Sequence, residues 1–210
     1  SQYIEFTMSK QFKENSVILF QGDSITDCGR NREDRDSLGD GYVNLIEGTL
    51  AGNHSQSNLK LINRGISGDK IRDLQLRWDA DCMDISFDIL SILVGVNDTL
   101  ITPAELFEEE YRMLLKRTTG ELNSTIILCE PFLLLGDNNA YRDDLNPKIE
   151  IVHRLSEEFS TLLLPLDKIF RKSCLLHPPE YWAPDGVHPT PAGHALIAKS
   201  WIECVDNALS

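Results

Sequence analysis

Short apolar runs alternate with longer amphipathic segments along most of this 210-residue chain. The runs are five or six residues long and rich in Ile, Val and Leu, which is typical of strands buried on both faces of a parallel sheet. They predict five strands, at residues 17–21, 59–63, 89–94, 125–129 and 162–166.

The segments between the runs carry recognisable helix starts. Thr102-Pro103-Ala104-Glu105 combines an N-cap residue, a proline suited to the first helical position and a capping-box glutamate. Asn146-Pro147 predicts a second start, and Thr190-Pro191 predicts the start of the last helix. Apolar residues recur at helical spacing after the second start (Ile149, Val152, Leu155, Phe159) and the last one (Ala195, Ala198, Trp201, Ile202, Val205).

This alternation predicts an α/β fold, a three-layer α/β/α sandwich around a five-stranded parallel sheet. With right-handed crossovers we expect the flavodoxin-like strand order 2-1-3-4-5. The chain shows no internal repeat, low-complexity tract or linker, so residues 1–210 are predicted to form a single domain. The polar stretch 30–40 is predicted to be a loop.

The composition of the chain limits the kinds of molecule that it is expected to bind. With 20 Lys and Arg against 33 Asp and Glu, the net charge of −13 argues against nucleic acid and anionic membranes, because phosphate binding requires clustered cations. No apolar stretch reaches the length of a membrane span, and the first residues do not resemble a signal peptide. Five scattered cysteines favour a reducing compartment. We therefore expect a cytoplasmic protein with a small neutral ligand, acting alone or as a homo-oligomer.

The end of the first predicted strand offers the first candidate chemistry. Gly22-Asp23-Ser24 predicts a tight turn that carries a serine at the carboxyl edge of the sheet, where open α/β sheets bind ligands. Near the other end of the chain, Asp185 and His188 stand three residues apart, just before the last helix. A serine nucleophile requires a carboxylate and an imidazole as partners. The three residues therefore predict a hydrolytic triad.

The loops after the second and third strands offer donors for an oxyanion. Gly68 lies in a small-residue turn that leads into a helix, and Asn97 follows the third strand. Together with the Ser24 N–H, the Gly68 N–H and the Asn97 side chain satisfy the needs of acyl transfer. Taken singly, each residue has an ordinary structural explanation, as a helix-entry glycine or an Asx turn. Their occurrence in order on one α/β framework favours the catalytic interpretation.

Four sequence blocks, GDSIT, RGISGD, GVND and DGVHP, resemble those of the SGNH, or GDSL-type, esterase superfamily. The family's invariant Ser, Gly, Asn and His correspond to Ser24, Gly68, Asn97 and His188, and its triad Asp to Asp185. Longer strings such as GDSITDCGR and VHPTPAGHALIA resemble bacterial intracellular acetyl xylan esterases of this superfamily. The resemblance implies a metal-free, cofactor-free serine esterase that removes acetyl groups from xylo-oligosaccharides or related sugars through an acyl-enzyme. The lipolytic, lysophospholipase and thioesterase branch is the alternative.

Three further residues are predicted on the substrate side of the site: Asp23, Tyr181 and Trp182. The two aromatic rings offer flat faces for sugar stacking, whereas Asp23 more readily supports the turn through hydrogen bonds. Trp78 shares a helical face with Leu74 and is predicted to belong to the core.

Two non-catalytic interpretations compete with the esterase. In a flavodoxin-like signalling domain, Asp23, Asp98 and Lys168 would imitate a phosphoacceptor site, but this leaves Ser24 and the DGVHP block unexplained. A catalytically inactive carbohydrate-binding relative would not need the full triad. Structural roles are predicted for the other four histidines, His54, His153, His177 and His194. Cys28 is predicted to be a free thiol without an activating basic neighbour.

Overall fold

The sheet has the predicted number and order of strands. The computed structural model describes residues 12–55, 57–121, 124–136 and 139–209. All strand pairs are parallel, and the order is β2-β1-β3-β4-β5. The strands are β1 (Val17–Gly22), β2 (Lys60–Asn63), β3 (Ile89–Leu93), β4 (Thr125–Cys129) and β5 (Leu162–Leu164). The predicted α/β fold and strand order are confirmed.

Strand ends differ from the prediction by one or two residues. The fifth strand was expected to extend to residue 166, but β5 ends at Leu164. Pro165 follows, and it has no N–H to donate to a sheet ladder, so the strand stops and a helix begins at Leu166.

Helices cover both faces of the sheet, as a three-layer sandwich requires. The π-helical segment Asp79–Met83 extends α3, and a 3₁₀ turn, Val96–Asp98, follows β3. The helices are α1 (Ser24–Asp27), α2 (Tyr42–Asn53), α3 (Ile71–Trp78), α4 (Ala104–Glu121), α5 (Ala140–Glu158), α6 (Leu166–Ser173), α7 (Pro179–Trp182) and α8 (Pro191–Leu209).

Two hydrophobic cores lie on opposite faces of the sheet. Along β1, Ile18 and Phe20 belong to the core that α2, α6 and α8 cover, whereas Leu19 belongs to the core beneath α3 and α4. This alternation follows from the two-residue period of a strand. Trp78 is fully buried in the second core, as predicted, and its indole N–H donates to Thr118 Oγ1 at 2.9 Å.

The predicted start of the fifth helix at Asn146-Pro147 is wrong. The helix begins at Ala140, and the Asn139 side chain caps it by accepting from Tyr141 N at 2.8 Å. Pro147 lies inside the helix, where it cannot donate to the carbonyl four residues earlier. Buried side chains on both sides of Pro147 anchor the helix to the sheet, and helical stability comes mainly from such packing.

Two helix starts match the sequence, with changes in detail. The helix α4 begins at Ala104, and the Thr102 hydroxyl donates to Asp98 Oδ1 at 2.6 Å. The helix α8 begins at Pro191, but Ala195 is exposed, so its predicted place on the apolar face is wrong. The buried stripe of α8 instead includes His194, Ile197, Ala198, Trp201 and Val205. Among the described residues, no helix has the length and apolarity needed to cross a bilayer.

We predict that two leucines of one helix differ sharply in their effect on stability. Leu74 and Leu76 both lie in α3, but Leu74 is 0% exposed and Leu76 is 78% exposed. Leu74→Ala should lower the free energy of unfolding by about 2–5 kcal/mol, because it leaves a cavity in the core. Leu76→Ala should change it by less than about 0.5 kcal/mol. Urea unfolding of both variants measures the difference, and equal losses would contradict this packing.

Candidate active site

The turn that carries Ser24 is built around a glycine with no room for a side chain. A Cβ on Gly22 would lie 2.6 Å from the Leu93 carbonyl oxygen of β3, and it would also clash with Thr26. The chain can therefore turn directly from β1 into the short helix α1. Asp23 caps this helix by accepting from Ile25 N at 3.0 Å. Ser24 is the first residue of α1 and is half-buried.

Three predicted residues form one hydrogen-bonded chain. Ser24 Oγ lies 3.0 Å from His188 Nε2, and His188 Nδ1 lies 2.6 Å from Asp185 Oδ2. The second carboxylate oxygen, Oδ1, accepts from the backbone N–H groups of Val187 and His188 at 2.8 and 2.7 Å. These bonds orient the carboxylate toward the imidazole within one short loop. The structure thus brings together Ser24 and His188, which are 164 positions apart in the sequence.

The electrostatics of the loop keep Asp185 ionised. Partial burial pushes its pKa upward, but hydrogen bonds from the His188 side chain and from the His188 and Val187 backbones outweigh burial. The pKa of Asp185 therefore lies below its usual range. The side chains of His188 and Asp185 are 58% and 55% exposed, so hydrogen bonds, more than packing, hold this pair in place.

Gly68 and Asn97 lie on two loops that are joined to each other. Asn97 is in the 3₁₀ turn after β3, and its Nδ2 donates to the Asp69 carbonyl at 3.0 Å. Gly68 has φ +88°, a left-handed conformation that favours glycine. Among the described residues, no heavy atom beyond its chain neighbours lies within 4 Å of the position that a Gly68 Cβ would occupy. The backbone at Gly68 therefore borders open space.

A partly buried arginine joins the serine turn to the Gly68 loop. Arg77 donates from Nε to Asp69 Oδ2 at 2.7 Å and from Nη2 to the Gly22 carbonyl at 3.3 Å. Asn63 adds a second link, because its Nδ2 donates to the Thr26 carbonyl at 2.7 Å. Sequence reasoning missed both residues. Arg77 stands directly before the predicted core residue Trp78, but no local pattern shows which distant segments it contacts.

Asp98 is a buried support of the site. It is 0% exposed, and its carboxylate accepts from Ile71 N at 3.1 Å and from the Thr102 hydroxyl. Its backbone carbonyl accepts from the buried Lys148 ammonium at 2.9 Å. Burial raises the pKa of Asp98 to about 6, against the opposing effect of its hydrogen bonds to Thr102 and Ile71.

Asp23 is also committed to backbone, which corrects its predicted place on the substrate side. The residue is 1% exposed and caps α1, so it shapes the turn and presents no surface to a ligand. Burial raises its pKa to about 7, although the Ile25 N–H and the nearby His188 oppose the rise. Neither Asp23 nor Asp98 offers the open acidic pair that a phosphoacceptor site requires.

Three aromatic rings pack together in the segment before the Asp185–His188 loop; His177 and Tyr181 are exposed, and Trp182 is half-buried. Tyr181 is 44% exposed and stacks on His177 with ring centroids 4.0 Å apart. Trp182 meets Tyr181 edge-on, with the centroids 4.7 Å apart. The Trp182 carbonyl accepts from Thr190 N at 2.9 Å, which ties the cluster to the end of the loop.

His194 and Cys28 are neighbours, which corrects the prediction that Cys28 lacks a basic neighbour. Cys28 Sγ lies 3.5 Å from His194 Nε2, and both side chains lie against Gly41 at the start of α2. Tyr42 N donates to His194 Nδ1 at 3.0 Å. Burial, assisted by His188, lowers the pKa of His194 to about 4, and burial raises the pKa of Cys28. At neutral pH the pair is an uncharged imidazole beside a thiol.

The other histidines have structural contacts. His54 meets Phe12 edge-on, and His153 pairs with the buried carboxylate of Glu130. Within the described residues, no three His, Cys, Asp or Glu side chains are grouped so that they could hold a metal ion.

Comparison with protein families identifies the framework on which these residues lie. Residues 20–196 match the GDSL-like lipase/acylhydrolase family, a span that includes Ser24, Gly68, Asn97, Asp185 and His188. The chain belongs to this family. It is therefore a carboxylic ester hydrolase, and the signalling interpretation is not needed.

Relatives of this acylhydrolase align with most of its chain, in sequence and in structure. An acetylxylan esterase of Geobacillus stearothermophilus is 32% identical over 200 residues, which cover 88% of this chain and 91% of the relative. The crystal structure of Axe2, an acetylxylan esterase of the same organism, has a TM-score of 0.87 at 29% identity and covers 93% of this chain and 96% of its own. A Parabacteroides merdae protein described as a GDSL-like lipase has a TM-score of 0.88 at 38% identity, covering 95% and 98%.

Structures of Axe2 also include three variants described as catalytic mutants. In these variants a serine, an aspartate or a histidine is replaced by alanine. The aspartate and the histidine stand three positions apart in that enzyme.

We predict that the acylhydrolase loses stability on acidification because of His194. Its pKa is about 4 in the folded protein and 6.5 in an exposed imidazole. Between these values the unfolded chain binds a proton that the folded chain does not, so this contribution is present above pH 6.5 and is lost as pH falls toward 4. At about 1.36 kcal/mol per pKa unit, the loss is about 3 kcal/mol.

His194→Asn isolates this effect, because the Asn carbonyl can still accept from Tyr42 N while the side chain does not titrate. Urea unfolding at pH 7, 6, 5 and 4 should show the wild type losing stability more steeply than the variant. Parallel curves for the two proteins would contradict a depressed pKa at His194.

Proposed function

We propose that this acylhydrolase is a serine esterase that removes acetyl groups from xylo-oligosaccharides or related sugars. Ser24 is the nucleophile, His188 the general base and Asp185 the residue that orients the imidazole. The observation that carries the proposal is the hydrogen-bonded chain from Ser24 Oγ through His188 to Asp185, with distances of 3.0 and 2.6 Å. The same three residue types, with the same spacing of Asp and His, are replaced in the catalytic mutants of Axe2.

The first half of the reaction forms an acyl-enzyme. Asp185 accepts the Nδ1–H of the neutral imidazole, which leaves the Nε2 lone pair directed at the Ser24 hydroxyl. Ser24 Oγ attacks the ester carbonyl carbon as Nε2 takes the hydroxyl proton, and the carbonyl oxygen becomes an oxyanion. The tetrahedral intermediate then expels the sugar alkoxide, which takes the proton from Nε2. The sugar leaves with its hydroxyl restored.

The second half returns the enzyme to its starting state. Water gives a proton to His188 Nε2 and attacks the acetyl carbonyl of the acyl-enzyme. Collapse of the second tetrahedral intermediate breaks the bond to Ser24 Oγ, and the imidazole returns the proton to that oxygen. Acetate is released. The low pKa of Asp185 supports this role, because a carboxylate that stays ionised stabilises the imidazolium in both halves.

Three donors are proposed to stabilise the oxyanion. They are the N–H groups of Ser24 and Gly68 and the side-chain amide of Asn97. The Asn97 amide carries two hydrogens, and donating one to the Asp69 carbonyl leaves the other for the substrate. The open space beside Gly68 supports access of a carbonyl to its backbone N–H. Each fixed donor of this kind stabilises the transition state by roughly 3–4 kcal/mol.

The acetylated sugar is proposed from the relatives and from the surface beside the triad. Relatives along most of the chain are acetylxylan esterases. The exposed ring of Tyr181 and the half-buried ring of Trp182, which precede the Asp185–His188 loop in the chain, offer faces on which a sugar can stack. The net charge of −13 favours a neutral ligand over a polyanion. Exposure of the His188 and Asp185 side chains leaves room for a bulky leaving alcohol.

We propose that residues 1–210 act as a single SGNH domain in the cytoplasm and need no metal or other cofactor. The partner is a small ester, with no nucleic acid or membrane. Assembly into a homo-oligomer is compatible with this chemistry.

We predict that Ser24→Ala abolishes ester hydrolysis without disturbing the fold. Loss of the attacking oxygen should lower kcat by about 10⁴-fold or more, because only binding and oxyanion stabilisation are left. Release of 4-nitrophenol from 4-nitrophenyl acetate measures the rate. Ser124→Ala is the matched control. Ser124 lies at the amino ends of the strands, away from Ser24, and its hydroxyl donates to the Phe87 carbonyl. A Ser24 variant that kept a tenth of wild-type activity would refute the assignment.

We predict a preference for acetyl over long acyl groups. The kcat/KM for 4-nitrophenyl acetate should exceed that for the octanoate by at least about tenfold, which corresponds to about 1.4 kcal/mol of transition-state discrimination. Acetylated xylo-oligosaccharides should be cleaved with a lower KM than 4-nitrophenyl acetate. Tyr181→Ala should raise KM for the sugar ester and leave KM for 4-nitrophenyl acetate unchanged.

The lipolytic alternative makes the opposite prediction. It is favoured by two leucines before the aromatic cluster, Leu175 and Leu176, which are 86% and 78% exposed and could contact an acyl chain. Faster cleavage of the octanoate or of a lysophospholipid would therefore assign this protein to the lysophospholipase and thioesterase branch.

A further inference from the structure

A buried carboxylate next to the catalytic turn has no role in the mechanism above. Asp27 is the last residue of α1, and its side chain is 4% exposed. Its Oδ2 accepts three hydrogen bonds: from Ser67 N at 2.9 Å, from Ser67 Oγ at 3.0 Å and from Arg32 Nη2 at 2.8 Å. Its Oδ1 accepts from Arg30 N at 3.2 Å. The carboxylate thus connects the helix that begins with Ser24 to the residue before Gly68.

Ser67 and Gly68 are the two central residues of a turn, which Asp69 N closes by donating to the Ile66 carbonyl at 3.2 Å. Gly68 is in the left-handed region, and the space beside its Cα is open among the described residues. Glycine has the widest conformational freedom of any residue, so its neighbours decide where its N–H points. The Gly68 N–H belongs to the peptide group that Ser67 shares with Gly68. Holding Ser67 by both its backbone N–H and its hydroxyl restricts that peptide group.

Other contacts hold the loop earlier and later along the chain. Before Ser67, Ile66 N donates to the Gly22 carbonyl at 3.1 Å, and Arg30 Nε donates to the Gly65 carbonyl at 2.7 Å. After Gly68, Arg77 binds the Asp69 carboxylate. Loss of the Asp27 carboxylate should therefore leave the loop folded and free mainly its tip, where Gly68 lies.

We propose that Asp27 is a positioning residue that holds the Ser67–Gly68 peptide so that the Gly68 N–H faces the oxyanion formed at Ser24. The inference rests on the serine-esterase function proposed above. Asp27 does not touch the substrate, and it acts through the geometry of one oxyanion donor. Errors of about 1 Å in such positioning can cost about 10²-fold in rate.

The charge of Asp27 strengthens this anchor. Burial raises its pKa, but hydrogen bonds from Arg32 and from the Ser67 backbone and hydroxyl outweigh burial, so the pKa is lowered and the carboxylate is ionised at neutral pH. Hydrogen bonds to an ionised acceptor are about twice as strong as neutral ones. Arg32 is half exposed, and such ion pairs contribute little. The contacts with Ser67 therefore carry the positioning.

Steady-state kinetics with 4-nitrophenyl acetate test this assignment in the intact protein. Asp27→Ala should lower kcat about 10–100-fold, less than the 10²–10³-fold typical of deleting an oxyanion donor, because the Gly68 N–H is displaced but still present. KM should change less than about twofold. Asp27→Asn, which keeps one carbonyl acceptor, should recover part of the loss. Arg32→Gln, the matched control, keeps the Ser67 contacts and should retain wild-type kcat within about twofold.

Inhibition by methylboronic acid separates positioning from a structural role. Ser24 Oγ adds to the boron, its proton passes to His188, and the tetrahedral adduct places a boron-bound oxygen where the oxyanion forms. For Asp27→Ala and Asp27→Asn, the inhibition constant should rise in proportion to the fall in kcat/KM. Variants that only lose folded protein would show fewer active sites with an unchanged inhibition constant, and that result overturns the proposal.

The outcomes distinguish this inference from the proposed function. An active Ser24→Ala variant would refute both. An inactive Ser24→Ala variant together with wild-type kcat in Asp27→Ala would refute only the role of Asp27. If Asp27→Ala does not fold, Asp27→Asn and Ser67→Ala provide the same comparison, since Ser67→Ala removes one of the two bonds and should lower kcat about threefold to tenfold. Unchanged kcat in these two variants would equally overturn the proposal.

Discussion

The parallel direction of all five strands is the constraint on which the site depends. Because the strands run the same way, the loops after β1, β2 and β3 emerge at one edge of the sheet. In the sheet, β1 and β3 are neighbours, but β2 lies on the outer side of β1 and β4 on the outer side of β3. The connections after β1 and β3 therefore run in opposite directions, and open α/β sheets bind ligands in the crevice at such a point. Ser24 lies at the end of β1 and Asn97 at the end of β3. The loop before α8 brings His188 to the same place.

Hydrogen bonds from backbone N–H groups to buried carboxylates join the loops at this edge. Three buried carboxylates, those of Asp23, Asp27 and Asp98, each accept from backbone N–H groups of a loop or helix start at the site. Their pKa values move in different directions, since burial raises those of Asp23 and Asp98 while multiple donors lower that of Asp27. An acidic chain thus uses several of its carboxylates as internal supports.

The contrast between the buried carboxylates and the exposed Asp185–His188 pair bears on the proposed function. The side chains of His188 and Asp185 are more than half exposed, yet the short loop orients the carboxylate through two backbone N–H groups. Such a site can orient its side chains without being enclosed. An open site of this kind leaves room for a large leaving group, and the proposed oxyanion donors at Gly68 and Asn97 lie on loops that border it.

The sequence by itself determined the five strands and the residues of the proposed triad, because these depend on local periodicity and on short motifs. The strand order followed from the right-handed crossovers expected of a parallel sheet. Tertiary structure decided the rest. Packing allows α5 to continue through Pro147, burial removes Asp23 from the substrate side, and folding places His194 beside Cys28. Asp27 and Ser67 are 40 positions apart, and no local pattern pairs them. Hydrophobic periodicity is a property of neighbouring residues, whereas a hydrogen-bond partner is chosen only when distant segments meet.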